Sequence, residues 1–450
     1  MDVIRESLDT SKAIPAPTGL EHLRIMERAA TYINDAVWQL HQTYGKVFAF
    51  GMGPIHFVWL VGEDAMRFVL QDEPDAFAMS HEFLLPIGGD TALIASEEPD
   101  HLRRRRLVQP AFHKTRLEGL YNLTQTYYQR ELDRWQVGEV VNLYERIRPV
   151  VLKTICEMLL GRALLDRHPN LVPDIGTMMA FANLPFLAQQ FKVPMPFTPW
   201  QRFVAARRRV DHLLYAEIEV RKTNPQADTG DVLGMLIDAR DETGASLSDR
   251  EIRDQAVSLV SAGFDTTSAG LTWAVAGLLE HPHIATELQD ELASYQAMLS
   301  FTELLRLPLL ENILKESLRL YPPAPAALRR VVRDTSFGGY ALKKGQRVAL
   351  SIYATHRQED VFENPLEFKP ERWQDAQKTT QVSKFAYLPY GFGARYCIGA
   401  GLASLMVKTA LVMLMQQVEL APAYARLEET GNTVHPKGGL PVRVVRKYSH

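Results

Sequence analysis

Hydrophobic positions follow a helical period over most of the chain. Apolar residues recur at helical spacing over about 20–44, 63–70 and most of 117–224. Two short segments, 47–50 and 56–61, instead flank a turn that contains glycine and proline, which predicts a β-hairpin. The pattern therefore predicts a mainly α protein with small β-sheets.

Two later helices carry clear end signals. A helix over 248–280 begins with the capping-box pattern Ser-x-x-Glu, and a second over 308–320 begins with proline and ends before two prolines. Short strands are predicted at 329–332 and 347–352. Residues 353–389 show no clear period, and so long an irregular region needs ion pairs or a cofactor to hold it.

Composition narrows the class of protein. The 450 residues are 46% hydrophobic and 23% charged, and the net charge of -3 argues against a general nucleic-acid binder. Two cysteines are too few for a disulfide framework, which indicates a reducing setting. The charged N-terminus lacks the apolar run of a signal peptide, and Lys408 interrupts the longest apolar stretch, 398–415, which favours a buried core helix. We therefore expect a cytoplasmic protein without a transmembrane anchor.

A glycine-rich loop over 390–399, Tyr-Gly-Phe-Gly-Ala-Arg-Tyr-Cys-Ile-Gly, places Cys397 directly before that apolar stretch. The helix N-terminus and nearby Arg395 both favour the thiolate. Gly391 and Gly393 allow a tight turn and a close approach to a flat cofactor. Unpaired N–H groups of the first helical turn can point at the sulfur. The arrangement suits a fifth ligand to haem iron, although a lone cysteine before a helix is more often a small buried apolar residue.

A basic run over 101–106 lies in a helix-compatible segment. His101 and Arg105 are four residues apart and share one helix face, so together they can bind a pair of carboxylates such as haem propionates. Because successive residues point about 100° apart, the other arginines cannot all share that face. The alternative is a solvated basic face. These remaining residues could form a docking patch for an acidic electron-transfer protein: Arg103, Arg104 and Arg106.

The middle of the helix over 248–280 carries an unusual helical sequence that includes Ala262, Gly263, Asp265 and Thr266. Glycine costs about 1 kcal/mol relative to alanine in a helix interior, and threonine hydroxyls compete for backbone carbonyls. A small residue lets a cofactor face approach, and an acid beside an alcohol can relay protons. The alternative is an acid and an alcohol on the solvent side of the helix.

Four separated motifs occur in one order along the chain. They are His101-x-x-x-Arg105, Ala262-Gly263-x-Asp265-Thr266, Glu316-x-x-Arg319 with Pro370-Glu371-Arg372-Trp373, and the cysteine loop. Together they resemble the haem-thiolate monooxygenases of the cytochrome P450 family, from about residue 20 to the C-terminus. The resemblance implies an α+β fold in which a long central helix and the cysteine loop enclose haem b (iron protoporphyrin IX). It also implies a single haem domain over 1–450, with an irregular lead over about 1–19 and no fused reductase domain.

The resemblance implies roles residue by residue. Cys397 is the expected proximal ligand to the iron, and Asp265 and Thr266 are expected to deliver protons to dioxygen. A buried ion network is expected to hold the irregular region, where loss of one partner costs about 3–5 kcal/mol; its members are Glu316, Arg319 and Arg372. The other residues expected to bind haem are His101, Arg105, Ala262, Gly263, Arg329, Phe392, Arg395 and Gly399.

The implied reaction inserts one oxygen atom from dioxygen into a C–H bond of an apolar small molecule, of the fatty acid, terpenoid, steroid or macrolide type. The candidate pocket segments, 77–97 and 181–203, are rich in Phe, Leu, Pro and Met. Electrons are expected from a separate ferredoxin or flavodoxin with its reductase. Two positions depart from the usual pattern: Tyr390 stands where the family usually has phenylalanine, and His101 where many relatives have tryptophan.

Three alternatives stay open at this point. A peroxygenase would be driven by hydrogen peroxide, although the acid and alcohol at 265–266 argue against it. A non-catalytic haem-thiolate sensor or carrier would not need Thr266. A zinc or disulfide role for Cys397 is disfavoured because no second cysteine lies near it in sequence.

Overall fold

The computed structural model of the protein describes residues 12–52, 55–80, 85–184, 188–189, 191–224, 230–295, 299–375 and 382–448. The α-helices within these residues are α1 (Gly19–Ala29), α2 (Ile33–Tyr44), α3 (Glu63–Arg67), α4 (Leu85–Gly88), α5 (Asp100–Val108), α6 (Lys114–Leu132), α7 (Leu143–Leu160), α8 (Arg162–Arg167), α9 (Leu171–Ala182), α10 (Pro199–Thr223), α11 (Val232–Asp238), α12 (Asp249–Glu280), α13 (Pro282–Ala293), α14 (Phe301–Leu304), α15 (Pro308–Leu320), α16 (Ile352–Thr355) and α17 (Ala400–Gln417).

The strands within the described residues form small sheets. In chain order they are β1 (Val47–Met52), β2 (Ile55–Leu60), β3 (Phe77–Met79), β4 (Val140–Asn142), β5 (Ala326–Val331), β6 (Thr335–Phe337), β7 (Tyr340–Leu342), β8 (Arg347–Ser351), β9 (Val418–Pro422), β10 (Glu429–Thr430), β11 (His435–Pro436) and β12 (Pro441–Lys447). The largest sheet has the order β1-β2-β8-β5-β3, with β2 and β8 parallel and the other neighbours antiparallel. A three-stranded sheet has the order β4-β12-β9, and β6-β7 and β10-β11 are two-stranded.

The chain folds into two compact units, and the first comprises residues 1–81, 319–367 and 375–396. It contains the five-stranded sheet, whose successive side chains point to opposite faces as the period of a β-strand requires. Val47 and Leu60 belong to one apolar cluster, whereas their neighbours Phe48 and Trp59 belong to a second cluster that includes residues of α2.

The second unit comprises residues 82–318, 368–374 and 397–450. Helix α12 is 32 residues long and buried over most of its length, with α7 and α17 packed against it. Its N-terminus has the predicted capping box: the Glu251 N–H donates to Ser248 Oγ at 3.2 Å, and the Ser248 N–H donates to Glu251 Oε2 at 2.9 Å.

Most predicted elements are confirmed, among them the hairpin β1-β2 and the helices α12 and α15. The helical pattern over 20–44 is two helices, α1 and α2, rather than one. The pattern over 63–70 is α3 followed by a π-helical turn, Phe68–Asp72. The pocket segments predicted at 77–97 and 181–203 lie partly outside the described residues. The single domain expected over 1–450 stays a prediction.

Helix α17 is, among the described residues, the one helix long and apolar enough to cross a membrane by length and composition. However, 72% of it is buried inside the protein. This burial agrees with the predicted core helix. The helix begins at Ala400, two residues later than predicted, because Gly399 is its N-cap.

Candidate active site

The cysteine loop turns on two glycines. Gly391, with φ of 73°, and Gly393, with φ of 62°, have the left-handed backbone conformation that residues with a Cβ rarely adopt. An added Cβ at Gly393 would meet no atom within 4 Å, so the backbone angle alone explains the glycine there. The predicted tight turn is therefore confirmed.

The Cys397 thiol lies three residues before α17 and is solvent-accessible, whereas Cys156 is fully buried. Burial by the surrounding protein raises the pKa of the Cys397 thiol, while the Gly399 N–H and the charge of Arg105 lower it. Desolvation outweighs these two favourable groups, and the thiolate expected at the iron stays a prediction. Iron would deprotonate this sulfur on binding, since a coordinating thiol gives up its proton.

Arg105 differs from the arginines beside it. It is half-buried on α5, and no acceptor among the described residues forms a hydrogen bond or ion pair with its guanidinium. A half-buried arginine in that situation is suited to bind an anion, as predicted for a haem propionate. His101, one turn earlier, is buried, and its Nδ1 lies 2.8 Å from Glu98 Oε1.

The other arginines of the basic run are paired within the chain. Arg103 Nε donates to Asp241 Oδ2 at 2.6 Å, and Arg104 Nε donates to Glu251 Oε1 at 2.9 Å. Arg104 is only 9% exposed, so its predicted place in a docking patch is wrong: its charge serves a buried ion pair. Arg106 is the most exposed of the three at 58%, and its side chain is paired with Glu242, which is 80% exposed.

The middle of α12 presents a small-residue face. Ala262 is exposed although neighbouring Phe264 and Asp265 are buried, and Thr266 lies one turn further along the same face. The Thr266 hydroxyl donates to the Ala262 carbonyl at 2.6 Å, the back-bonding expected of a threonine inside a helix. The helix nevertheless continues without a break through Gly263.

Asp265, the residue before Thr266, points away from that face and into a polar cluster. It is 6% exposed; Oδ1 accepts from Arg148 Nη2 at 2.9 Å and Oδ2 accepts from Asn183 Nδ2 at 2.8 Å. Burial raises the pKa of Asp265, and the charge of Arg148 and the amide of Asn183 offset this only in part. Among the described residues no hydrogen bond joins Asp265 to Thr266.

Glu316 is the centre of a buried network in the second unit. It is fully buried and accepts from Arg372 Nε at 2.8 and 3.0 Å, from Trp373 Nε1 at 2.9 Å and from the Lys369 N–H at 2.9 Å. The predicted pairing of Glu316 with Arg372 is therefore present. The tryptophan and backbone donors complete the shell around the carboxylate.

Arg319 holds the irregular region inside the first unit. Its guanidinium, which is fully buried, donates to the carbonyls of His356 at 2.8 Å, Pro365 at 2.7 Å and Glu367 at 3.1 Å. A charged donor satisfying three carbonyls at once fixes a segment that has no regular secondary structure of its own. These bonds hold part of the irregular region 353–389, whereas an ion network that joins Arg319 to Glu316 and Arg372 stays a prediction.

The remaining predicted haem ligands belong to the first unit. Arg329 is buried on β5, and its Nη1 donates to the Leu328 carbonyl at 2.9 Å. Arg395 is half-buried at the end of a short 3-10 helix, Gly393–Arg395. The Phe392 ring packs against Phe385 with centroids 4.7 Å apart. The haem-binding roles of these residues stay predictions.

Sequence reasoning missed Arg148 and Asn183, which contact Asp265 from 117 and 82 residues away in sequence. No local pattern could have found them, because neither belongs to a short motif. The indole of Trp373 was overlooked for a different reason: its position in a motif was noted, but its N–H was not counted as a donor. A buried tryptophan usually pairs that N–H, which was the available signal.

The residues present fit the haem that the resemblance implies. Cys397 supplies one accessible sulfur with a backbone N–H beside it, Arg105 supplies an unpaired cation within the described residues, and Ala262 and Gly263 supply a face without bulky side chains. They would supply a soft sulfur ligand for the iron, an anchor for a carboxylate and room for a flat ring.

Comparison with known proteins covers most of the chain. The family model described as Cytochrome P450 matches residues 16–437. A putative cytochrome P450 139 of Mycobacterium tuberculosis is 32% identical over 393 residues, which cover 86% of this chain and 91% of that protein. Cyclooctatin synthase of Streptomyces melanosporofaciens is 32% identical over 323 residues, 70% of this chain and 69% of that protein.

Solved structures give the same result. A retinoic acid bound cyanobacterial CYP120A1 superposes with a TM-score of 0.86 at 26% identity, over 97% of this chain and 99% of that chain. The likeness runs along nearly the whole chain and agrees with the accessible thiol and the small-residue face of α12. The chain therefore belongs to the cytochrome P450 family, the haem b monooxygenases.

Proposed function

We propose that the protein inserts one oxygen atom from dioxygen into a C–H bond of an apolar small molecule, with Cys397 as the proximal thiolate. The observation that carries this proposal is the accessible sulfur three residues before α17, which receives the Gly399 N–H and lies in the field of Arg105. When bound, the haem supplies dioxygen activation and oxygen transfer. The side chains bind the cofactor, orient the substrate and move protons.

Two sets of residues hold the haem in this proposal. Arg105 binds a propionate, because its guanidinium has no acceptor among the described residues, and His101 assists from the preceding turn. Ala262 and Gly263 leave space beside α12 for the ring. By resemblance alone we also assign Arg329, Phe392 and Arg395 to the cofactor, and we assign Gly399 to the sulfur through its N–H.

Asp265 and Thr266 deliver protons in this proposal. The raised pKa of Asp265 brings its titration closer to neutral pH than that of an ordinary aspartate, as a proton carrier requires. The Thr266 hydroxyl donates to the Ala262 carbonyl, so its lone pairs remain available to accept a proton. Thr266 then has to break that hydrogen bond when it donates in turn.

The substrate belongs to an apolar class: a fatty acid, terpenoid, steroid or macrolide. The described parts of 181–203 include several large apolar side chains, among them Phe181 and Phe203. One structural neighbour is described as retinoic acid bound and one relative as cyclooctatin synthase. We therefore propose retinoic acid as the first compound of a screen that measures substrate-induced shifts of the haem spectrum.

A separate ferredoxin or flavodoxin with its reductase supplies the electrons, and we place the protein in the cytoplasm. Of the three arginines predicted to form the docking patch, only Arg103 and Arg106 remain candidates, since Arg104 is buried. Arg106→Glu should slow reduction by an acidic partner and weaken its dependence on salt. The matched control is Arg446→Glu on β12, because the two side chains are 58% and 67% exposed. Equal reduction rates in both variants would reject this docking site.

The spectrum of the reduced protein under carbon monoxide tests the proposal. We expect the strongly red-shifted absorption of a thiolate adduct, which Cys397→Ser loses and the buried-cysteine control Cys156→Ala retains. Incorporation of labelled oxygen from dioxygen into product, with electrons from a reductase, tests the reaction. A haem that absorbs as if held by histidine, or turnover only with hydrogen peroxide, would contradict the proposal.

A further inference from the structure

The two oxygens of the Asp265 carboxylate accept hydrogen bonds from two different residues. Arg148 on α7 donates through Nη2 to Oδ1 at 2.9 Å, and Asn183, the residue after α9, donates to Oδ2 at 2.8 Å. The guanidinium is fixed between two rings, with its central carbon 5.3 Å from the Tyr144 centroid and 4.9 Å from the Phe264 centroid. Arg148 is therefore held in place independently of its contact with the acid.

Arg148 and Asp265 form only one of the two hydrogen bonds that a side-on ion pair contains. A guanidinium binds a carboxylate side-on through Nε and Nη2, one N–H to each oxygen. In Arg148 only Nη2 is used: Nε is buried and has no hydrogen-bond partner among the described residues. The oxygen that would satisfy Nε is Oδ2, which Asn183 holds instead. A buried unpaired N–H is rare, and here its missing acceptor lies on the same carboxylate that Nη2 already binds.

We propose that Asn183 is a positioning residue. By binding Oδ2 it limits Arg148 to one oxygen of Asp265, so that the carboxyl remains able to take up and release a proton. This rests on the proposed role of Asp265 in proton delivery. Each delivered proton leaves the carboxylic acid as a carboxylate, which regains a proton from bulk water. A side-on pair would occupy both oxygens with charged donors and stabilise the carboxylate, so the acid could no longer be protonated at working pH.

The titratable groups around Asp265 and Arg148 leave Asp265 able to change its protonation state. Burial raises the pKa of Asp265 despite Arg148, which a single Nη2 contact permits. His435 from β11 also faces the pair, and burial lowers its pKa, so it is neutral at pH 7. Burial raises the pKa of Tyr144 on α7, so it stays protonated, and Glu145 lies close enough to act on both. None of these groups supplies a second fixed cation at neutral pH.

Replacement of Asn183 with leucine tests the inference, because leucine cannot hold Oδ2. We expect the carboxylate to close onto Nε and Nη2, so that the pKa of Asp265 falls by about one unit or more. Product formed per reductant consumed should fall severalfold at pH 7 and recover at lower pH. The pKa is measured by 13C NMR of labelled aspartate in the diamagnetic carbon monoxide form. The signal of Asp265 is assigned by its absence in Asp265→Asn.

The direction in which the pKa of Asp265 moves in Asn183→Leu distinguishes this proposal from a role of Asn183 as a simple hydrogen-bond donor. If Asn183 were only a donor that stabilises the carboxylate, its loss would raise the pKa of Asp265. An unchanged or raised pKa in Asn183→Leu would therefore overturn the proposal. Asn183→Ala should give the same sign, and serves if the leucine variant does not fold. Asn122→Leu is the control, since Asn122 is exposed on α6.

A second substitution provides a rescue. Lysine offers a single ammonium group and no fork, so it cannot close side-on. In the double variant Asn183→Leu with Arg148→Lys, the pKa of Asp265 and the coupling should return toward those of the parent. If the double variant shows no rescue, side-on binding by Arg148 is not the cause of the effects of Asn183→Leu. If Asp265→Asn leaves coupling unchanged, the proton-delivery role fails, whereas the measured pKa of Asp265 in Asn183→Leu still decides the geometry.

Discussion

Replacement of Glu316 with glutamine should destabilise the protein strongly although the side chain keeps its size and shape. Glu316 is 0% exposed and its partner Arg372 is 13% exposed, so the pair has little access to solvent. The carboxylate accepts from Arg372, Trp373 and the Lys369 N–H. Glutamine has one acceptor oxygen, and its NH2 group would face a donor. The substitution would also leave the arginine charge buried without a counter-charge from this carboxylate.

The expected cost follows from that loss. Removing one partner of a buried ion pair costs about 3–5 kcal/mol, mostly because the other charge is left uncompensated. An unfolding entropy of about 2.1 cal/mol/K per residue gives about 0.9 kcal/mol/K for 450 residues. The unfolding midpoint should therefore fall by about 3–5 °C.

Thermal unfolding of the haem-loaded protein, followed by circular dichroism and haem absorbance at fixed haem content, measures the effect. Glu371→Gln is the matched control, because Glu371 lies next to Arg372 but is exposed. That exchange should change the free energy of unfolding by no more than about 0.5 kcal/mol. Equal midpoints for Glu316→Gln and Glu371→Gln would refute the reasoning that this network stabilises the fold.

Three further outcomes are expected. Gly277→Ala should destabilise the protein by about 1–3 kcal/mol in thermal unfolding, because its Cβ would lie 2.7 Å from Phe368 Cζ. Gly119→Ala, where no atom lies within 4 Å, should instead stabilise its helix by up to about 1 kcal/mol; the same sign in both would contradict the packing argument. Burial lowers the pKa of His435 from 6.5, so the unfolded state binds a proton first as pH falls. Stability should therefore decline below pH 6.5 by at most about 1.4 kcal/mol per pH unit from this residue. His435→Phe should flatten that decline in unfolding titrations, and an unchanged slope would exclude His435 as its source. Thr266→Ala should consume reductant and dioxygen with severalfold less product, and full product yield would remove Thr266 from proton delivery.

The elements with clear period and end signals could be predicted from the sequence. Helices α12 and α15 appear where the capping box and the prolines placed them, because local signals fix those ends. The break between α1 and α2 was not predicted, since apolar spacing continues across it. The spacing of apolar residues predicts which face of a helix is buried, but it does not predict where one helix ends and the next begins.

The site was predicted as far as its motifs extend. Glu316 and Arg372 were paired correctly because a motif carries each of them. The raised pKa of the Cys397 thiol was not predicted, because desolvation depends on the whole fold and here exceeds the favourable effects of nearby groups. Arg104 was assigned to a surface because four consecutive arginines give no sign of which one meets Glu251, 147 residues away.

Two buried carboxylates in the second unit show what separates a structural acid from a reactive one. Glu316 has each oxygen bound by donors, and the arginine that binds it uses Nε toward both oxygens. Asp265 has the same type of partner, but Arg148 reaches one oxygen only and keeps a buried Nε without an acceptor among the described residues. A complete shell fixes an acid in one charge state, whereas an incomplete shell leaves two states close in free energy. Motif membership alone could not distinguish these two acids, because the difference lies in one amide contributed by Asn183.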